Sequence, residues 1–123
     1  MPTPTLISII DDDDSLCAAV TGLLRSCGHE ARSFNSAEAF LAWEDARTSD
    51  CVITDIHMPG MDGIELKNLL ATQNWQVPVI LITARSDALV EARARASGAV
   101  CLLKKPFQAD ELIGCIDKAL TRG

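Results

Sequence analysis

LISIIDDDDSLCAAVTGLLRSCG, residues 6–28, changes its periodicity once, at the aspartates. Leu6-Ile7-Ser8-Ile9-Ile10 is a short, nearly unbroken apolar run, the pattern of a strand buried on both faces. From Ser15 the apolar residues fall at Leu16, Ala19, Val20, Leu23, Leu24 and Cys27, three and four apart, which is the spacing of one helix face. Asp13 or Asp14 can cap that helix, and Gly28 can end it. A strand, a polar corner and a helix make one βα unit.

The same alternation runs on to the end of the chain. Ala31 to Phe34 is a weak strand, and Asn35-Ser36-Ala37-Glu38 offers a cap residue with Glu three later, opening a helix through Trp43. Cys51-Val52-Ile53-Thr54 is a strand ending at Asp55. Met58-Pro59-Gly60-Met61-Asp62-Gly63 is a loop rich in turn residues, and Ile64, Leu66, Leu69 and Leu70 mark the helix after it. Pro78 precedes the most apolar strand, Val79 to Ile82, which closes at Thr83. A helix spans Asp87 to Ser97 and is stopped by Gly98; Val100 to Leu103 is the fifth strand. Asp110 to Leu120 is the last helix, with Leu112, Ile113, Ile116 and Leu120 on one face. Five strand–helix pairs in strict alternation predict an α/β fold, a (βα)5 doubly wound five-stranded parallel sheet with helices on both faces. A flavodoxin-like strand order 2-1-3-4-5 is expected, with residues 1–123 as one domain.

Composition narrows the function. Of 123 residues, 48% are apolar and 23% charged, the make-up of a globular domain. Eleven Lys and Arg against seventeen Asp and Glu give a net charge of -6, so the domain has no basic footprint for nucleic acid or an anionic membrane. Aromatics are 4% with no Tyr, which leaves no base-stacking platform. Cys17, Cys27, Cys51, Cys101 and Cys115 are scattered, without a Cys-x-x-Cys pair, and read as small buried hydrophobes in a reducing compartment. No signal peptide or membrane-length apolar run is present, and the chain reads as cytoplasmic.

Doubly wound sheets bind ligands at the carboxyl ends of their strands. There the first strand delivers Asp11 and Asp12, the third Asp55, the fourth Thr83, and the fifth Lys105 just before Pro106. If the strand order reverses after the first strand, the first and third are neighbours and three carboxylates converge. Unpaired, they repel, and a hard divalent cation such as Mg2+ would neutralise them. Lys105 and Thr83 add a cation and a hydroxyl donor, the groups that hold a phosphoryl group during in-line displacement. Asp55 can be a metal ligand, a nucleophile forming an aspartyl-phosphate, or both. Singly, each has a plain reading: solvated helix start, loop cap, surface lysine, strand-end threonine. Five such residues at four strand ends argue for one site. Asp62, followed by Gly63, reads as a turn and helix cap.

From about Leu6 to Leu120 the chain resembles the receiver domain of two-component response regulators. The resemblance rests on Asp11-Asp12, on the run from Thr54-Asp55 through Met58-Pro59-Gly60-Met61-Asp62-Gly63, on Thr83-Ala84 and on Lys105-Pro106-Phe107. It implies a phosphorylation-driven switch whose donor is the phosphohistidine of a sensor histidine kinase. Asp55 would be the phosphoacceptor, and Asp11, Asp12, Asp55 and the main-chain carbonyl of His57 the Mg2+ site, with Thr83 and Lys105 sensing the phosphate. Such a domain is no enzyme beyond its own phosphorylation and dephosphorylation. The N-terminal half is especially similar to FixJ-like receivers, which usually precede a helix-turn-helix DNA-binding domain and so control transcription. The output face would be the Asp87–Ser97 helix, strand five and the last helix, with a phosphorylation-dependent homodimer expected there. The family often has an aromatic residue three before its lysine; here it is Leu102, so threonine movement is expected without an aromatic rotamer partner. Lys104 reads as a solvated neighbour of Lys105.

Two rival readings share some of these residues. A haloacid-dehalogenase-type phosphatase would also place Asp11-x-Asp13 after its first strand, but would leave the Asp55 stretch unexplained. A non-phosphorylated pseudo-receiver would not need the full set Asp11, Asp12, Asp55, Thr83 and Lys105.

Overall fold

The computed structural model describes residues 4–85 and 87–121. Its elements are β1 (Leu6–Ile10), α1 (Asp14–Ser26), β2 (Glu30–Phe34), α2 (Ala37–Ala42), a 3-10 turn (Ala46–Thr48), β3 (Cys51–Asp55), α3 (Gly63–Thr72), β4 (Val79–Thr83), α4 (Ala88–Ala96), β5 (Cys101–Lys104) and α5 (Ala109–Leu120). The five strands form one sheet in the order β2-β1-β3-β4-β5, every pairing parallel. The expected alternation and strand order are both realised.

The central strands are buried on both faces because side chains alternate across the pleat and helices cover each side. On one face Val52, Val79 and Leu81 pack with Phe40, Leu66, Leu70, Val90 and Ala94 of α2, α3 and α4. On the other, Ile7, Ile9, Ile53, Ile80 and Ile82 pack with Val20 and Leu24 of α1 and Leu112 and Ile116 of α5. Edge strand β2 buries only Ala31 fully, which is why its sequence carries so weak a strand signal. Four of the five aromatic rings lie in one cluster, with Phe34 edge-on to Phe40 at 5.5 Å and Phe40 stacked on Trp75 at 5.8 Å.

Helix ends follow their caps. Asp13 Oδ1 accepts from the main-chain N–H of Ser15 and Leu16, making it the α1 cap. Asp62 and Glu65 form a reciprocal capping box on α3, at 2.7 and 2.9 Å. Asp62→Ala is therefore expected to cost about 1 kcal/mol in urea denaturation. Arg93→Ala, which removes the exposed 3.4 Å pair to Asp62, should cost a few tenths of that, about 0.3 kcal/mol.

Several sequence expectations need correction. The α2 cap is Ser36, which accepts from Ala39 N–H, not Asn35 paired with Glu38. That helix ends at Ala42, because Trp43 turns to an extended conformation. Strand β2 begins one residue earlier and β5 one later than expected, and Asp87 and Ser97 are the caps of α4 rather than part of it. All five cysteines are free, but Cys27 is exposed and Cys101 and Cys115 only partly buried. Burial does govern Cys51, whose thiol it pushes up to about 12. Among the described residues no helix is long and apolar enough to cross a membrane.

Candidate functional site

Parallel pairing sets Ile10 opposite Thr54, Asp55 opposite Ile82 and Thr83 opposite Lys104, so the carboxyl ends of four strands stop at one level. Asp11 follows β1 and is fully buried; Asp55 ends β3 and is 5% exposed; Asp12, one residue on, is open to solvent. One carboxylate oxygen from each of the three lies within 4.8 Å of the others. Lys105 stands one residue beyond β5, its N–H bonded to the Thr83 carbonyl at 2.7 Å. Lys104 is exposed, as the alternation requires.

The carboxylates are not all unpaired, contrary to the first expectation. Lys105 Nζ lies 3.0 Å from Asp11 Oδ2 and 3.3 Å from Asp55 Oδ2. Burial opposes the Lys105 ammonium, but the two carboxylates win and raise its pKa above the ordinary value. Asp11 shifts upward too: desolvation outweighs its hydrogen bond from Asp13 N–H and its contact with Lys105. The two directions are compatible, since one cation shared by a cluster of acids cannot satisfy a fully buried carboxylate. Asp11 Oδ1 accepts the 2.9 Å bond from Asp13, whereas buried Asp11 Oδ2 sits in ion-pair contact without a hydrogen bond. A buried carboxylate oxygen with an ion-pair contact but no hydrogen bond, among all-oxygen donors, fits a hard cation of the Mg2+ kind. Asp55 Oδ1 faces the His57 N–H at 3.4 Å, leaving its two oxygens in different surroundings.

Thr83 departs from expectation in orientation. It is buried at the strand end, but its hydroxyl donates to the Arg85 carbonyl at 2.8 Å and accepts from Arg85 N–H at 3.0 Å. Its oxygen is turned into its own loop, so contact with a group on Asp55 requires it to leave that turn. Leu102 is partly buried against the α2–α3–α4 cluster.

Sequence reasoning missed what holds the loop after Asp55. Gly63 N–H donates to the Ile56 carbonyl at 3.0 Å, and Met61 N–H donates to Glu38 Oε2 at 2.9 Å. The first contact has a sequence signal, the glycine itself. The second has none, since Glu38 reads as part of a local cap.

Comparison with known proteins identifies the family. Residues 7–117 match the response regulator receiver domain, and the chain belongs to that family. Receiver domains generally bind Mg2+ at such an acidic pocket. The chain is 35% identical over 116 residues to the response regulator protein TmoT of Ectopseudomonas mendocina, covering 94% of this chain and 53% of the relative. It is 36% identical over 120 residues to the transcriptional regulatory protein FixJ of Bradyrhizobium diazoefficiens, covering 98% and 58%. The chain thus spans a little over half the length of these curated relatives. The crystal structure of FixJ-N superimposes with a TM-score of 0.88 at 31% identity, covering 99% of this chain and 98% of that one.

Proposed function

We propose that this domain is a phosphorylation-activated switch in which Asp55 takes a phosphoryl group from the phosphohistidine of a sensor histidine kinase. The observation that carries the reading is the convergence of Asp11, Asp12, Asp55 and Lys105 at one sheet edge. An Asp55 oxygen attacks phosphorus, the P–N bond breaks, and the kinase imidazole departs, taking up a proton from solvent. Asp11, Asp12, Asp55 and the His57 carbonyl would hold Mg2+, which would supply positive charge against the anionic phosphoryl group. Lys105, already beside Asp55 Oδ2, compensates charge on the product's oxygens. The domain is its own substrate and no enzyme in the ordinary sense. The rival in which Asp11 is the nucleophile is disfavoured by its complete burial and its bond from Asp13 N–H.

The signal leaves through Thr83 and Lys105, which border α4 and β5. Leaving its turn on Arg85, Thr83 pulls the β4–α4 loop toward Asp55 and biases the α4–β5–α5 face. Leu89 on α4 is 72% exposed, an apolar side chain suited to a phosphorylation-dependent homodimer on that face. Given the names of the relatives, the output is control of transcription through an attached or separate domain, with a cytoplasmic site of action and no direct nucleic-acid contact by this domain.

Phosphotransfer from a phosphorylated histidine kinase, followed by amide exchange, tests the reading. Loss of kinase label to Asp55, with altered exchange in α4, β5 and α5, is expected; no transfer from any kinase or small phosphodonor would overturn it. Thr83→Ala should still accept phosphate, because one hydroxyl bond is worth about 1 kcal/mol against the larger metal and lysine effects. Its α4 exchange response should shrink; an unchanged response would remove Thr83 from the signalling route.

A further inference from the structure

We propose that Glu38 is a positioning residue for the acceptor site: from α2 its carboxylate holds the Met61 N–H, and with it the loop that carries the His57 carbonyl assigned above to the Mg2+ site. This inference rests on the Mg2+ reading given above. Glu38 is 23 residues from Met61 in sequence, yet Oε2 lies 2.9 Å from the Met61 nitrogen. A Cβ at Gly60 would come within 2.7 Å of the same Oε2, so the carboxylate occupies the space that a side chain there would fill. Gly60 also has φ +76°, a conformation that L side chains rarely adopt. Glycine at position 60 thus suits the backbone and leaves room for the Glu38 carboxylate.

The anchor beneath Glu38 is firm. Ala37 and Phe40 on either side of it in α2 are fully buried, and Phe40 is held by Phe34 and Trp75. Ser36 already caps α2, so Glu38 is free of that duty. The Met61 N–H, then Glu38's own N–H, lower its carboxyl pKa, keeping a charged acceptor on the loop. Beyond Met61 the chain is fixed by the Asp62–Glu65 box and by Gly63 against Ile56. Before it, the Ile56 N–H is bonded to the Ile82 carbonyl at 2.8 Å. Glu38 grips the segment between those two fixed ends, where the His57 carbonyl must keep its aim. Outer partners of metal ligands act by orienting them; Glu38 acts at one remove, through the loop backbone that joins Met61 to His57.

The test uses the full chain with Glu38→Ala and Glu38→Gln, reading Met61 amide exchange, Mg2+ affinity from amide shifts, and thermal unfolding. Glu38→Ala should lose Met61 protection and bind Mg2+ about tenfold more weakly, the low end of the usual effect of such partners. Glu38→Gln retains an oxygen for the same N–H and should return to within about threefold of wild type. A purely structural role would lower the unfolding temperature but leave Mg2+ affinity within about twofold of wild type, and would overturn the proposal. Glutamine as poor as alanine would show that the hydrogen bond to Met61 does not hold the loop, and would overturn it as well. Wild-type protein that bound no Mg2+ would remove the site reading and this inference together; equal binding by wild type and Glu38→Ala would remove this inference alone.

Discussion

Incubated with Mg2+ and a small acyl phosphate, the wild-type chain gains a single phosphate and Asp55→Asn gains none. Asp55 is the acid whose two oxygens look in different directions, Oδ2 toward Lys105 Nζ at 3.3 Å and Oδ1 toward the His57 N–H at 3.4 Å. Asparagine keeps the shape but has no anionic oxygen to attack phosphorus, so the loss should be complete rather than graded. The variant should also fold normally. Removing one of three clustered carboxylates relieves repulsion, and Lys105 still pairs with Asp11 at 3.0 Å. Intact-mass measurement reads the result, with chelation of Mg2+ expected to abolish labelling of the wild type. A phosphate that persisted on Asp55→Asn would move the acceptor elsewhere.

Gly63→Ala should be among the most damaging small substitutions in the domain, by about 3 kcal/mol in urea denaturation. Its Cβ would run into the Asp55 main-chain carbonyl oxygen and lie 3.1 Å from the Ile56 Cα. These are backbone atoms of β3 and the residue after it, so no side chain can swing aside. Gly63 also donates its N–H to Ile56 at 3.0 Å, which fixes it against the obstruction. The start of α3 would have to retreat and carry the loop with it, so labelling of Asp55 should slow as well. Gly114→Ala supplies the contrast: mid-helix in α5, its Cβ meets nothing within 4 Å, and a gain of about 0.5–1 kcal/mol is expected. Equal effects at the two positions would refute the steric account.

The plan of the fold was legible because burial wrote it into the chain. Strands β1, β3 and β4 are apolar on both faces, and α1 and α5 carry one apolar stripe each, so period alone separates them. Edge strand β2 and helix α2 were harder, since β2 buries little and α2 has only six residues. Element ends shifted by a residue or so wherever a cap decided them, as Ser36 did in place of Asn35.

By itself the sequence determined that five βα units form one parallel sheet, and that Asp11, Asp12, Asp55, Thr83 and Lys105 lie at its carboxyl edge. Both follow from local pattern, because a parallel strand carries its last residue to the same edge as its neighbours. Only the tertiary structure decided how those residues face one another. It placed Lys105 between Asp11 and Asp55, turned the Thr83 hydroxyl onto Arg85, and drew Glu38 across to Met61. Such contacts join residues 23 to 94 positions apart or depend on a rotamer, and no periodicity encodes them. They arise when the packed helices fix where each side chain's base stands, and electrostatics and hydrogen bonding then choose among the partners within reach.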